Sequence, residues 1–349
     1  MPVFVEALGG RPLWTKKQHS LAHGAGVQAI RIALVNNMPD AALEDTELQF
    51  FDLLDAACGD APVLVKLYSL AGVPRTERGM RRLNSFYHAL DDLWTSQFDA
   101  LIMTGTEPLQ PTLREEPYWG NLANVLDWAE RNTASTVLSC LAAHAGVLHS
   151  DGIERHRLND KRFGVFEFPI ASGHALTRNM GSTIRFPHSR WNEVQADALE
   201  SSGYSILTQS PEAGVDCFVK RKKQSLFVYF QGHPEYQTNT LFKEYRRDIK
   251  RYLRHERETY PTAPMGYFDN EGTKCLADFR ERSAANRGEE AMEEFPETFL
   301  TGSLQNGWRV SAVQVYSNWL SMISERKHDA FSYAPVRVRQ RGNTLQWID

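Results

Sequence analysis

Cysteine is scarce in this chain, and the few that occur are scattered. The 349 residues contain four cysteines, Cys58, Cys140, Cys217 and Cys275, and none of them forms a C-x-x-C pair. This spacing argues against both the disulfide framework of a small secreted domain and a zinc-finger site. We therefore predict a reducing compartment and a cytoplasmic protein.

Long apolar runs and an excess of basic charge are also missing. No stretch approaches the roughly 20 consecutive apolar residues of a membrane-spanning helix, and residues 1–26 lack the pattern of a signal peptide. The net charge is −4, so no overall basic surface for nucleic acid is indicated. His144 and His149 are poorly spaced to hold one ion on one helical face. We expect no membrane, no nucleic acid and no metal.

What the chain does contain is an alternation of short apolar runs and amphipathic segments. The apolar runs, which predict strands, are 30–35, 62–67, 98–103, 136–140 and 226–230. The segments with helical spacing of apolar residues are 44–57, 118–130, 141–148, 241–254 and 308–323. This alternation is typical of an α/β fold in which helices flank a parallel twisted sheet. Residues 164–219 have β-like and turn-like character and predict an antiparallel addition.

Length and composition predict one large domain with additions, or two domains. Residues 1–26 are polar and glycine-rich, which favours an N-terminal arm on the surface, and 27–324 form the main domain. Within it, 260–307 contains proline, glycine and charge with little period, and we expect an irregular or partly mobile excursion. Residues 325–349 form a C-terminal tail, in which apolar residues between 336 and 345 suggest a hairpin.

Cys140 is the first candidate for chemistry, because it lies where an apolar strand meets a helix. A thiol there sits at the positive end of the helix dipole, which favours the thiolate. The N–H of Leu141 could then donate to an oxyanion, and the small neighbours Ser139, Ala142 and Ala143 are typical of a nucleophile elbow. A lone cysteine is more often buried and inert, and this alternative stays open on Cys140 alone.

The segment Gly232-His233-Pro234-Glu235 is the second candidate, and it follows the predicted strand 226–230. In an open α/β sheet, sites gather at the carboxyl ends of the strands, where Cys140 also lies. A cysteine and a histidine supply a nucleophile and a base, and a carboxylate can orient the imidazole. A solvated histidine in a turn is the alternative, but the pairing with Cys140 favours catalysis.

Short motifs accompany these residues in a characteristic order. They are Asn36-Asn37-Met38-Pro39, Asn84-Ser85-Phe86-Tyr87, Met103-Thr104-Gly105, Tyr118-Trp119, Cys140, Lys161 with Gly164-Val165, Pro187-His188-Ser189-Arg190 and Gly232-His233-Pro234-Glu235-Tyr236. This ordered set resembles the homoserine O-succinyltransferase/O-acetyltransferase family of methionine biosynthesis, in its type with a cysteine nucleophile. The resemblance implies a class I glutamine amidotransferase-like (flavodoxin-like) fold, with 27–324 as the acyltransferase domain. It also implies a homodimer and no cofactor, since acyl-CoA is a substrate.

For the catalytic residues, the resemblance implies a ping-pong reaction through an acyl-cysteine. Cys140 matches the cysteine that carries the acyl thioester, His233 matches the base, and Glu235 matches the carboxylate partner of that base. We expect Cys140 to attack acyl-CoA and His233 to deprotonate the acceptor hydroxyl. The N–H of Leu141 and the Met38-Pro39 loop are the expected oxyanion donors.

For the substrates, the resemblance implies that Lys161 and Ser189 bind substrate and that Arg247 pairs with the carboxylate of homoserine. Acetyl-CoA users of the family carry glutamate shortly after the Thr-Gly turn, and succinyl-CoA users often carry glycine. Leu109 occupies this position here. Without a glutamate to repel a second carboxylate, succinyl-CoA is the predicted donor. Acetyl-CoA stays open as donor, as does serine as acceptor.

Two other classes of protein stay open from the residues. A glutamine amidotransferase-like amidohydrolase would use the same Cys140, His233 and Glu235, although the Gly-x-Cys-x-Gly pattern is absent around Cys140. A binding or sensor protein on the same fold would have lost one of these three residues, and all three are present. The release of ammonia from glutamine would distinguish the amidohydrolase.

Overall fold

A mostly parallel sheet forms the centre of the protein. The computed structural model describes residues 3–6, 29–285 and 287–332. Its strands are β1 Val3–Glu6, β2 Ile30–Val35, β3 Val63–Tyr68, β4 Ala100–Thr104, β5 Ser135–Ser139, β6 His156–Pro169, β7 Thr183–Glu193, β8 Ser205–Ile206, β9 Gln209–Ser210, β10 Gly214–Val215, β11 Cys217–Lys222 and β12 Ser225–Phe230. The main sheet has the order β1-β3-β2-β4-β5-β12-β11-β8. The strands from β1 to β12 in that order run parallel, and β11 runs antiparallel to both of its neighbours, β12 and β8.

Helices cover both faces of this sheet. They are α1 Asp40–Ala57, α2 Glu77–Phe86, α3 Leu90–Thr95, α4 Trp119–Asn132, α5 Leu141–Asp151, α6 Ala196–Ser201, α7 Thr240–Leu253, α8 Asn270–Ala285, α9 Glu297–Ser303 and α10 Arg309–Ser332. One apolar core contains side chains of α1, α7, α8 and α10, and the other contains those of α3 to α6. Burial on both faces explains why the central strands are apolar at nearly every position.

The structure confirms the α/β fold and most of its predicted elements. The predicted strands are β2, β3, β4, β5 and β12, and the predicted helices are α1, α4, α5, α7 and α10. The antiparallel addition is confirmed as well, because β6 pairs antiparallel with β7, β9 with β10, and β11 with both of its neighbours. The short helices α2 and α3 were not predicted.

Three expectations differ from the structure. Residues 260–307 are not an irregular excursion, since they contain α8, the 3₁₀ helix Glu289–Glu294 and α9. Val3–Glu6 of the predicted surface arm is a strand with Val3 and Val5 fully buried, paired with β3 at the edge of the sheet. Helix α10 continues through the predicted boundary at 324. The predicted hairpin between 336 and 345 lies outside the described residues.

The carboxyl ends of three central strands lie level with one another. Ser139, the last residue of β5, is the register partner of Phe230 on β12 and of Thr104 on β4. The residues that follow these strands therefore leave the sheet side by side. Trp319 of α10 donates an indole hydrogen bond to Ser135 of β5 at 2.9 Å, which ties the C-terminal helix to the same strand.

Candidate active site

Cys140 occupies a strained turn between β5 and α5. Its backbone has φ 52° and ψ −112°, a region that side-chain-bearing residues rarely adopt. Its N–H donates to Phe230 O at 2.8 Å, which fixes the turn to β12. The side chain is half-buried. The predicted nucleophile elbow is thus present in the backbone, and it presents the thiol at the N-terminus of α5, where the helix dipole favours negative charge.

His233 and Glu235 converge on this thiol from the turn after β12. His233 Nδ1 lies 2.9 Å from Glu235 Oε1, and a side-chain hydrogen bond also joins His233 to Cys140. The same carboxylate oxygen accepts a hydrogen bond from Ser139 Oγ at 3.0 Å. His233 and Glu235 are 6% and 3% exposed. The three residues therefore form a continuous, water-shielded chain of hydrogen bonds from carboxylate to imidazole to thiol.

The charges at this site favour a protonated imidazole. Burial opposes the charged form, but the negative charges of Cys140 and Glu235 outweigh it and raise the pKa of His233 well above its ordinary value. The imidazole is consequently held in its charged form before any substrate reacts. Loss of the negative charge on Cys140 would remove the contribution of one of the two residues that raise this pKa.

The loop after β4 packs closely against the backbone next to Cys140. A Cβ atom added to Gly105 would lie 2.4 Å from Leu141 Cβ and 3.0 Å from Leu141 N. The N–H of Leu141 begins α5 and has no acceptor within the helix. The N–H of Met38 donates to Asn36 Oδ1 at 3.2 Å and proline has no N–H, so an oxyanion donor from the Met38-Pro39 loop stays a prediction.

A buried polar network supports the turn that carries His233. Asp216 Oδ1 accepts the N–H of Gly232 at 3.0 Å and lies 3.2 Å from His188 Nε2. His188 Nδ1 accepts a hydrogen bond from Arg190 Nε at 3.2 Å. His188 and Asp216 are both fully buried. Since buried polar groups are expensive to leave unpaired, this network fixes the position of the Gly232-His233 turn.

Lys161 and Ser189, which the sequence predicts as substrate-binding residues, meet at a carboxylate on α7. Ser189 Oγ donates to Glu244 Oε2 at 2.5 Å, and Lys161 Nζ lies 3.4 Å from the same oxygen. Tyr236 donates its hydroxyl to Glu244 Oε1 at 2.8 Å and stacks on the His233 ring with centroids 4.2 Å apart. Tyr236 therefore lies between Glu244 and the catalytic imidazole. Glu244 itself links residues of β6 and β7 to α7.

Arg247 lies one turn further along α7. Its Nε and a terminal nitrogen each donate to Asp248 Oδ1 at 3.2 Å, and its side chain is 53% exposed. Lys161 Nζ is 3.7 Å from Asp248 Oδ2. The structure thus brings Lys161, Ser189 and Arg247 to one cluster beside the acidic residues of α7, with guanidinium surface left open to solvent.

Comparison with known proteins decides the family. The model of the family described as homoserine O-succinyltransferase matches residues 13–329. The chain belongs to the homoserine O-succinyltransferase family. It is 45% identical over 302 residues to a homoserine O-succinyltransferase of Rhodopseudomonas palustris, covering 86% of this chain and 90% of that one. It is also 41% identical over 297 residues to that of Bradyrhizobium japonicum, covering 85% and 90%.

Solved structures resemble the chain less closely. A glutamine amidotransferase from Thermotoga maritima matches 85% of this chain and 99% of its own, with 10% identity and a TM-score of 0.44. A glutamine amido transferase from Methylobacillus flagellatus matches 85% and 96%, with 13% identity and a TM-score of 0.47. The family membership rests on the sequence matches.

Leu109, the position predicted from the family to select the acyl donor, lies on the surface. Its side chain is 65% exposed. Its N–H and that of Gln110 donate to Glu116 Oε1 at 2.6 and 2.7 Å. The predicted repulsion needs a buried carboxylate at this position, which the exposure of Leu109 does not favour, and the role of Leu109 in donor choice stays a prediction. The buried carboxylate of this loop is that of Glu116, which is 3% exposed.

Several residues of this family member's site were missed from the sequence. Glu244 precedes Arg247 by one helical turn, and that spacing was the available signal, because residues so placed share one helix face. Tyr236 follows the His-Pro-Glu segment directly. Gly105 was seen only as part of the Thr-Gly turn, because its role depends on Leu141, which belongs to another element.

In 3–6, 29–285 and 287–332, no group of three or more histidine, cysteine or acidic residues is arranged to hold a metal ion. Within the same ranges, no helix has the length and apolar character needed to span a membrane.

Proposed function

We propose that this acyltransferase moves the succinyl group of succinyl-CoA to the hydroxyl of L-homoserine through an acyl-cysteine on Cys140, as a step of methionine biosynthesis. The observation that carries the proposal is the hydrogen-bonded set of Cys140, His233 and Glu235 at a strained elbow. The named relatives, at 45% and 41% identity over most of the chain, support the same reaction.

The first half-reaction follows from the ion pair. The Cys140 thiolate attacks the thioester carbonyl, and the oxyanion forms beside the N–H of Leu141, which has no acceptor within its helix. The carbon–sulfur bond to CoA then breaks. His233 gives its proton to the departing CoA sulfur, which leaves a neutral imidazole and a succinyl thioester on Cys140.

The second half-reaction reverses the proton transfer. Once Cys140 is a neutral thioester, its charge no longer raises the pKa of His233, while burial still lowers it. The neutral imidazole takes the proton of the homoserine hydroxyl, whose oxygen attacks the thioester. The carbon–sulfur bond to Cys140 breaks, and the thiolate and imidazolium are restored together with the ester product. Glu235 holds the ring in one orientation throughout.

The acceptor would lie along α7, beside the catalytic imidazole. Arg247 offers guanidinium donors to the carboxylate of homoserine. The ammonium group of homoserine would then face Glu244. Ser189 and Tyr236 hold the carboxylate of Glu244 in position by donating hydrogen bonds to it. Lys161 offsets the charge of Glu244 and keeps the carboxylate in place.

Steady-state kinetics test the proposal directly. Succinyl-CoA and acetyl-CoA are each assayed against homoserine and serine, with glutamine as a further substrate. We expect the highest kcat/KM for succinyl-CoA with homoserine, and parallel double-reciprocal lines, which are the mark of a ping-pong reaction. A preference for acetyl-CoA would remove succinyl-CoA as the donor, and ammonia released from glutamine would favour an amidohydrolase.

Replacing Arg247 by alanine is expected to weaken the use of homoserine selectively. A charge-assisted pair is worth about 1.5–3 kcal/mol, so kcat/KM for homoserine falls about tenfold to a hundredfold, while acylation of Cys140 keeps its rate. The matched control is Arg246→Ala, since Arg246 is similarly exposed but pairs with Glu297 at 3.0 Å. Equal kinetics for both variants would assign Arg247 to the general surface.

The cytoplasmic location, the homodimer and the lack of a cofactor remain predictions. The role of Leu109 in donor choice also remains one. Since its side chain lies in solvent, the recognition of a succinyl carboxylate requires another residue.

A further inference from the structure

One oxygen of the Glu235 carboxylate is shared between two donors. Glu235 Oε1 lies 2.9 Å from His233 Nδ1, and it also accepts the hydroxyl of Ser139 at 3.0 Å. Ser139 is 3% exposed, and it directly precedes Cys140 at the end of β5. This serine therefore joins the strand that carries the nucleophile to the carboxylate that partners the base.

The other oxygen of the same carboxylate is buried without a donor. Among the described residues, none forms a hydrogen bond with Glu235 Oε2. The hydrogen bonds that the described residues make to this carboxylate thus come from Ser139 and His233, and both reach Oε1. A buried carboxylate with so few donors depends strongly on each of them.

The two donors also weaken each other. A hydrogen bond from Ser139 takes up part of the negative charge on Oε1, so less charge remains to attract a protonated His233. The distance between His233 and Glu235 does not depend on the serine, because both residues belong to one turn. That turn is fixed by the N–H of His233, which donates to Pro187 O at 2.8 Å. Loss of Ser139 therefore changes charge more than geometry.

Other titratable side chains lie around the His233 ring or behind its turn. They are Cys140, Glu235, Tyr236, His188, Asp216 and Glu244. Burial raises the pKa of Tyr236 well above its ordinary value and lowers the pKa of His188 to about 4, so both are neutral near pH 7. Asp216 and Glu244 bind donors of their own. Cys140, which loses its charge on acylation, and Glu235 are left to set the protonation of the ring.

We propose that Ser139 is a positioning residue that shares Glu235 Oε1 with His233 and thereby limits how strongly this carboxylate holds the charged imidazole. The consequence falls on the second half-reaction, and this part rests on the proposed function. The acylated enzyme needs a neutral His233 to take the proton of the homoserine hydroxyl, whereas the first half-reaction uses the charged ring. Ser139 therefore assists the release of the acyl group from Cys140.

An NMR titration of His233 in Cys140→Ala protein tests this proposal without any substrate. Alanine removes the charge of Cys140, as acylation does. When Ser139→Ala is added, we expect the pKa of His233 to rise by about half a unit to one unit, because Oε1 then serves His233 alone. Ser139→Cys, which keeps the shape and a weak donor, should give a smaller rise. An unchanged or lower pKa would overturn the proposal.

The control is Ser135→Ala in the same Cys140→Ala background. Ser135 is a buried serine of the same strand, but its hydroxyl donates to Leu226 O at 2.6 Å and accepts the indole N–H of Trp319. This change should lower the melting temperature and leave the pKa of His233 as it was. An equal rise in Ser135→Ala would assign the effect to the strand and not to Ser139.

A further comparison adds Glu235→Gln, which removes the shared charge. If Ser139 acts through Glu235, then Ser139→Ala should no longer alter the pKa of His233 in this background. A rise that persists without the carboxylate would contradict the proposed route.

Single-turnover kinetics test the effect on the reaction. The succinyl-enzyme is mixed with homoserine, and intact-mass spectrometry follows the loss of the succinyl group. Below the pKa of His233, Ser139→Ala should deacylate about three- to tenfold more slowly, and it should recover at higher pH, because the rate follows the neutral fraction of the ring. Acylation by succinyl-CoA should be as fast as in the wild type or faster. Equal slowing at every pH would indicate a structural defect and would reject the role of Ser139.

These results are separable from failure of the proposed function. If the wild-type protein forms no succinyl-enzyme, the proposed function fails, and the titration still decides whether Ser139 acts on His233. If succinyl transfer proceeds and the titration shows no rise, only the role of Ser139 is wrong.

Discussion

We expect the replacement of Cys140 by alanine to abolish acyl transfer, with a fall in kcat of about 10⁴-fold or more, because no other nucleophile can accept the acyl group. Incubation of the wild-type protein with succinyl-CoA alone should add one succinyl mass to the peptide that contains Cys140. The variant should show no adduct at all.

The matched control for this experiment is Cys275→Ala. Cys275 is also a half-buried free cysteine, but it lies on α8. Its removal should leave turnover and the Cys140 adduct intact. Normal turnover in Cys140→Ala would end the covalent mechanism, whatever the mass spectra show.

The Cys140→Ala variant also tests how the charge on Cys140 affects the pKa of His233. In the wild-type protein, the negative charges of Cys140 and Glu235 together overcome the effect of burial and raise the pKa of His233. Removing the thiolate leaves burial opposed by Glu235 alone, so the pKa of His233 should fall. An NMR titration of the ring measures this, and an unchanged pKa would contradict the thiolate–imidazolium pair.

Replacing Gly105 by alanine is expected to reduce kcat by about 10²–10³-fold, the effect of losing one oxyanion donor. The new Cβ would lie 2.4 Å from Leu141 Cβ and 3.0 Å from Leu141 N. Neither neighbour is the end of a flexible side chain, so the loop or the elbow must shift. Either shift alters the space in which the oxyanion forms.

Gly120→Ala is the control for Gly105→Ala, because Gly120 lies on α4 and an added Cβ there meets no atom within 4 Å. It should keep full activity, and alanine in a helix should not lower stability. Melting temperatures of both variants separate loss of catalysis from loss of folding. A Gly105→Ala enzyme with normal kcat would show that this contact has no part in the reaction.

The sequence by itself determined the order of the main strands and helices and the edge at which the chemistry lies. Apolar periodicity reports burial within one element, and parallel strands necessarily end at the same edge of their sheet. Cys140 and His233 could therefore be paired before any coordinates were known. Their geometry then agreed, with His233 bonded to both Cys140 and Glu235.

Only the tertiary structure decided which residues from separate elements touch. Ser189 and Glu244 are 55 positions apart, and their hydrogen bond exists because β7 packs near α7. No local pattern indicates such a contact. For the same reason, the sequence could align Leu109 with a specificity position but could not show that its side chain points into solvent.

The same limit explains the segment 260–307. The helices α8 and α9 could not be predicted from the sequence, because few of their residues are buried and the apolar period is therefore weak. Periodicity is produced by burial against a partner, and the sequence does not contain the partner's position.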